Sequence, residues 1–109
     1  MSSLAPPVGT VVRSWTGWIR TEDREAYRAY LEETGLREYR ATEGNLGAYA
    51  LYAEEPDGRT RVTTVSFWTD IAVIVGFAGD DITRAVFYPE DDRYLVARET
   101  TVSHGVVCG

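Results

Sequence analysis

An α+β fold in the order strand, helix, strand, strand, helix, strand is predicted by three observations. Two β-branched and aromatic runs, residues 11–20 and 61–68, alternate with period two, as half-buried strands do. Glu55-Pro56-Asp57-Gly58 is a hairpin turn signal joining a weaker alternating run, residues 46–54, to the second of them. Helical spacing follows the first and third strands. With short connections and right-handed crossovers, this order gives a ferredoxin-like βαββαβ unit with a four-stranded antiparallel sheet. Residues 1–10, holding Pro6, Pro7 and Gly9, read as a flexible lead-in, and residues 11–109 as a single domain.

Taken in order, the first strand places Val11, Arg13, Trp15, Gly17 and Ile19 on one face. Gly17 between two tryptophans suggests a bulge or a close approach by backbone or ligand. Thr21 is placed to cap the next helix, with Glu22 and Asp23 favouring its positive start. That helix runs to about Tyr39 on a stripe of Ala26, Tyr27, Tyr30, Leu31 and Thr34, and Gly35 is a candidate early end. In the third strand Val62, Thr64, Ser66 and Trp68 share a face, opposite Thr63, Val65 and Phe67. Thr69-Asp70 then caps a helix carried by Ile71, Ile74, Val75 and Ala78, limited by Gly76 and Gly79. Asp80-Asp81 reads as the cap of a further short helix reaching Phe87, and residues 88–92 as a solvated loop. Residues 93–107 form the last extended run, with Arg98 and His104 on one face. Two helices cover one sheet face only, yet the strands carry large apolar side chains on both. A face-to-face homodimer is therefore expected.

Composition narrows the function classes. A formal charge of -6 disfavours a nucleic-acid partner, which needs a basic stripe. No apolar run is long enough to span a membrane and no secretory signal is visible, so a cytoplasmic location is the expectation. The single cysteine, Cys108, permits neither an internal disulfide nor a cysteine metal cluster. One histidine with scattered acids lacks metal-ligand spacing, and there is no glycine-rich phosphate loop or nucleophile elbow. Neither a metal nor a cofactor is expected.

Several residues could carry chemistry. His104 is the one side chain with an ordinary titration near neutral pH, which suits a general base acting on a phenol or enol. Its alternative is a strand-end histidine satisfied by backbone or by a dimer partner. Arg13 and Arg98 could stabilise a developing enolate oxygen, although interface salt bridges are the commoner role for such arginines. Tyr27, Tyr30, Tyr49, Tyr52 and Tyr88 offer aromatic walls with polar tips for a flat ligand, and equally a small core. Trp68 at a strand–helix junction is either a core plug or a pocket wall.

The element order, together with Phe67-Trp68-Thr69-Asp70, Phe77-Ala78-Gly79-Asp80, Tyr88-Pro89-Glu90-Asp91 and His104 on the last strand, resembles the antibiotic biosynthesis monooxygenase family of the dimeric α/β-barrel superfamily. The likeness spans about residues 11–107. It implies a pocket inside each subunit, between sheet and helices, and oxygenation of aromatic polyketide intermediates without a cofactor. Quinone-forming members carry Asn four residues before the strand-end tryptophan, where this chain has Thr64 before Trp68. A threonine hydroxyl can donate one hydrogen bond but lacks the amide's fork. Haem-degrading members carry a Trp and a ligating His at positions falling near Phe77 and Phe87, which leaves haem without its axial ligand. The expected function is a cofactor-independent monooxygenase, or a related tailoring enzyme, acting on a small hydrophobic aromatic or polyketide-like substrate. Its expected catalytic residues are His104, Thr64 and Arg98, with Trp68, Tyr88, Trp15, Phe77 and Tyr27 binding the substrate. A proton-shuttling cyclase or isomerase, or a non-catalytic dimeric ligand-binding protein, are the alternatives.

Overall fold

The computed structural model describes residues 5–109. Its elements are β1 (Val11–Arg20), α1 (Arg24–Leu31), α2 (Arg37–Ala41), β2 (Asn45–Glu54), β3 (Arg59–Trp68), α3 (Val75–Ala78), α4 (Asp91–Tyr94), β4 (Leu95–Arg98) and β5 (Ser103–Val106). The sheet is antiparallel throughout, ordered β2-β3-β1-β4, with β5 also paired to β1. Gly17 faces Arg98 and Arg13 faces His104, so β4 and β5 are successive pieces of one interrupted edge strand. The ferredoxin-like α+β fold is present, with five strands filling four positions. Among the described residues no helix is long and apolar enough to cross a membrane.

The interruption has a chemical cause. Between β4 and β5 the backbone turns outward to pair with residues 83–85. The Thr100 carbonyl accepts the amide of Ala85, and the Thr83 carbonyl accepts that of Val102, both at 2.9 Å. An isolated bridge between Arg84 and Thr101 completes this patch. The expected short helix through Phe87 is therefore replaced by extended chain. Its β-branched Ile82, Thr83 and Val86 favour that outcome, and Asp81 closes a turn onto Thr83 instead of capping a helix. Residues 88–92 are also not wholly loop, since Asp91 starts the single helical turn α4 and accepts the Tyr88 amide at 2.6 Å.

The long helical segment does not stop at Gly35. Glu32–Leu36 forms a π-helical turn joining α1 to α2, so one extra residue enters the winding. Thr34 Oγ1 donates to the Tyr30 carbonyl at 2.8 Å within that turn, the back-bonding that loosens a helix locally. Tyr27, Leu31, Leu36 and Tyr39 face inward along the segment.

These helices cover the sheet face that carries Val11, Arg13, Trp15 and Ile19 of β1 and Val62, Thr64, Ser66 and Trp68 of β3, all buried. The core lies there. On the opposite face Val12, Trp18, Val65 and Phe67 are half-buried, while Tyr49 and Leu51 are exposed. Tyr49 packs on Phe67 with ring centroids 5.8 Å apart, and Pro6 and Pro7 lie against this pair near Leu46. Expectations for residues 1–4 fall outside the described residues. Gly9 is tied to the end of the last strand by its amide, which donates to the Val107 carbonyl at 2.8 Å.

Candidate functional site

The cavity between sheet and helices is built from four directions. β1 and β3 supply Trp15 and Thr64, which are neighbours in register. The helical segment supplies Tyr27, Leu31, Gly35 and Tyr39, and α3 supplies Phe77. The fourth wall is the extended chain after α3, with Val86, Phe87 and Tyr88, closed by Asp91 of α4. The enclosed volume is about 30 Å³. That holds one or two waters and is far below the ~300–1,000 Å³ of a ligand pocket. A ligand must therefore displace a wall, and the irregular 86–88 segment is the wall that no helix or sheet ladder holds directly. Phe87 is already 37% exposed there.

Trp15 and Phe87 are held by identifiable contacts. The Trp15 indole donates Nε1–H to the Glu99 carbonyl at 2.6 Å and meets Phe87 edge-on at 6.2 Å. This fixes both rings at the boundary of the cavity. At Gly35 a Cβ would sit 3.3 Å from Leu31 Cδ1, a tight contact, and 3.8 Å from Tyr88 Cε2, an ordinary one.

Two polar side chains stand out in this apolar setting. Thr64 is 3% exposed, and among the described residues its Oγ1 has no hydrogen-bond partner although it lines the cavity. A buried hydroxyl left unpaired costs ~1–3 kcal/mol, which a ligand oxygen or a water would relieve. Asp91 is 6% exposed. Burial raises its carboxyl above the usual carboxylate range, opposed by the Tyr88 amide and by the positive charge of Arg98. Tyr27 and Tyr88, also on the cavity, are raised well above the ordinary phenol value, chiefly by burial. Both remain neutral donors. A buried carboxyl with a raised pKa beside a cavity makes Asp91 a candidate proton-transferring group.

The cavity thus brings together Thr64, Trp15, Tyr27, Phe77 and Tyr88 of the residues expected from sequence. It does not include Trp68, Arg98 or His104. Trp68 is fully buried one layer behind, packed on Tyr39 at 6.0 Å and Phe77 at 6.3 Å, so it is a plug that backs the wall. Arg98 lies with its guanidinium 4.7 Å from the Phe87 ring centroid and pairs with Asp92. It reaches the site as a field on Asp91 and Tyr27 rather than as a lining group. His104 does not fit the expected role of cavity base. Its Nε2 lies 3.1 Å from Arg13 Nη1, and burial with the Arg13 charge lowers its pKa. The reason is the interrupted edge strand, which sets β5 opposite Arg13, two β1 positions from Trp15. Asp91 is the residue that sequence reasoning missed. Its run of acids reads as solvated loop, and the available signal was the large apolar or aromatic neighbours Tyr88, Tyr94 and Leu95 at helical spacing from it.

No protein-family model and no curated protein sequence matches the chain. Solved structures do. Protein SO0527 from Shewanella oneidensis superposes with a TM-score of 0.60 at 19% identity, covering 94% of this chain and 96% of that one. A Bacillus cereus protein provisionally described as an antibiotic biosynthesis monooxygenase gives 0.56 at 13% identity, with 91% of each chain covered. A dimeric ferredoxin-like protein from an uncultured marine organism gives 0.56 at 15% identity, covering 93% of this chain and 96% of that one. At these identities the shared property is the fold.

Proposed function

We propose that the chain is a cofactor-independent oxygenase, or a related tailoring enzyme, for a small hydrophobic aromatic substrate of polyketide type. The observation that carries this reading is the pairing of an unpartnered Thr64 hydroxyl with a buried, proton-prone Asp91 in one aromatic-walled cavity. Asp91 takes a proton from an enolisable methylene or a phenol, for which its raised pKa makes it a stronger base than an ordinary carboxylate. Thr64 donates to the substrate oxygen on which the negative charge collects. The substrate anion then reduces O2 by one electron and recombines with the superoxide as a peroxide anion, which takes the proton back from Asp91 to become a hydroperoxide. Loss of water from that species leaves a carbonyl, so one oxygen atom enters the product and the other leaves as water. The B. cereus neighbour's description supports this class of chemistry. The apolar outer sheet face, and the neighbour described as dimeric, support a homodimer joined through that face.

The test is oxygen uptake and product analysis with a panel of enolisable polycyclic phenols and anthrones. One O2 consumed per substrate, with a new carbonyl and no added cofactor, is the expected result. Isomerised or cyclised product without oxygen uptake would assign the same residues to proton transfer alone. Binding without any turnover would replace catalysis by ligand carriage.

A further inference from the structure

We infer that Arg13 is a positioning residue that holds one wall of the cavity closed, and that protonation of His104 releases this hold. Arg13 is 1% exposed on the helix-facing side of β1. Its Nη1 donates to the Ile82 carbonyl, and its Nη2 donates to the Arg84 carbonyl at 3.1 Å. Those two residues lead directly into Val86, Phe87 and Tyr88, the irregular wall. The guanidinium carbon also lies 5.6 Å from the centroid of Phe77, a second lining ring. Among the described residues no carboxylate pairs with Arg13, and its buried Nε has no partner. The cation is thus spent on backbone carbonyls of the wall segment, where a salt bridge would be the ordinary arrangement.

His104 completes the set. A guanidinium has donors and no acceptor, so at 3.1 Å the His104 Nε2 must accept, which fixes the neutral ring with its proton on Nδ1. Protonation would set N–H against N–H and place a second positive charge beside Arg13. Among the described residues no carboxylate compensates at His104. From β1 comes the Arg13 charge, and the wall segment turns the carbonyls of Ile82 and Arg84 onto Arg13. Two acids, Asp80 and Asp81, begin that segment, and Asp81 is engaged by Thr83 and by the charge of Arg84. In the closed form, burial and Arg13 hold the His104 pKa below its ordinary 6.5. A state in which the segment has lifted away exposes the ring and frees the Arg13 guanidinium to turn into water, which moves the value back toward the ordinary one. Opening therefore becomes more favourable as pH falls below about 6.5 toward the lowered value, and levels off beneath it. This concerns access to the cavity and stands whether or not the chemistry inside it is oxygenation.

Amide hydrogen exchange tests it without any ligand. The reporters are Ala85 and Val102, whose amides tie the wall segment to the interrupted edge strand. Their protection, corrected for intrinsic exchange, should fall about tenfold between about pH 7.5 and pH 5 relative to the β1–β3 ladder. His104→Gln keeps an acceptor for Arg13 but cannot be charged, and its protection should be independent of pH. Arg13→Lys, which retains charge but cannot reach both carbonyls at once, should lower protection at every pH. Unchanged wild-type protection across this range would overturn the inference, and so would a His104→Gln protein that loses protection on acidification as the wild type does.

Discussion

The Trp68 indole donates Nε1–H to Ser66 Oγ at 2.9 Å, and Ser66 Oγ donates onward to the Arg13 carbonyl at 3.4 Å. Trp68 and Ser66 are both fully buried on the same face of β3. The largest fully buried side chain is thereby registered against β1, while its ring surface supports Tyr39 and Phe77. Trp68→Ala removes this support and should cost ~3–5 kcal/mol. Trp68→Phe keeps most of the apolar area but leaves Ser66 Oγ without its donor, and should cost ~1–3 kcal/mol. Urea denaturation of the two variants checks the order. Because Trp68 lies behind the cavity wall, Trp68→Phe should alter ligand binding only slightly, and a complete loss of binding in that folded variant would place the ligand elsewhere.

Gly17 is the close-approach glycine of β1, and what approaches is a side chain of the same strand. A Cβ at this position would lie 2.5 Å from Trp15 Cη2 and 3.1 Å from Leu95 Cδ2. The Trp15 ring is pinned by its bond to the Glu99 carbonyl and cannot swing aside freely. Gly17→Ala should therefore destabilise by ~1–3 kcal/mol through overpacking. Near-UV circular dichroism should show a disturbed tryptophan environment in the same variant. Unchanged stability and an unchanged spectrum would mean that the ring has room the structure does not provide.

The strands were readable because period-two alternation acts over ten residues at once, and β1 and β3 bury the faces that the alternation assigns. The region after α3 was not readable in the same way. There the Ala85 and Val102 amides find carbonyls across a break in the edge strand, and nothing local to residues 80–87 announces that distant pairing. The site followed the same division. Trp15, Thr64 and Tyr27 come from elements with clear periodicity, and they reach the cavity. Asp91 owes its burial to tertiary packing under a short turn, while the surroundings of His104 are set by two residues of slippage in the edge strand. Neither is encoded in a pattern a few residues wide.

A homodimer should form through the outer sheet face. Val65 and Phe67 lie at its centre, and Leu51, 53% exposed, lies beside them on β2. A stable interface there should bury more than ~1,000 Å² in total. Val65→Glu places a charge in the middle of that face, where it has no water when the dimer is closed, and should yield folded monomer. Light scattering at micromolar concentration checks both proteins. A wild-type monomer would remove this assembly, and a dimeric Val65→Glu protein would move the interface to another surface.

Asp91→Asn should separate stability from function. The native Asp91 pKa is raised above its ordinary 3.8, mainly by burial, so the folded protein holds this proton to higher pH than the unfolded chain does. The resulting contribution favours the native state below the ordinary value and is lost as pH rises through the raised one. At neutral pH the wild type therefore carries a buried carboxylate at a cost. Asparagine is neutral at every pH, and its side-chain oxygen can still accept the Tyr88 amide now bonded to Asp91 Oδ2 at 2.6 Å. Asp91→Asn should accordingly be more stable than wild type at about pH 7, with the difference shrinking as the wild-type carboxyl is protonated on acidification. If Asp91 is the base, kcat should fall ~10²–10⁴-fold in the same variant. Thr64→Val offers the complementary measurement. It removes an unpaired hydroxyl at nearly constant volume, so it should not destabilise the empty protein, yet it should weaken substrate binding or turnover. Stability kept or gained together with activity lost at both positions is the pattern of a site that accepts strain for chemistry. An Asp91→Asn protein that is less stable at neutral pH, with full turnover, would instead make the carboxylate a structural anchor for Arg98 and Tyr88.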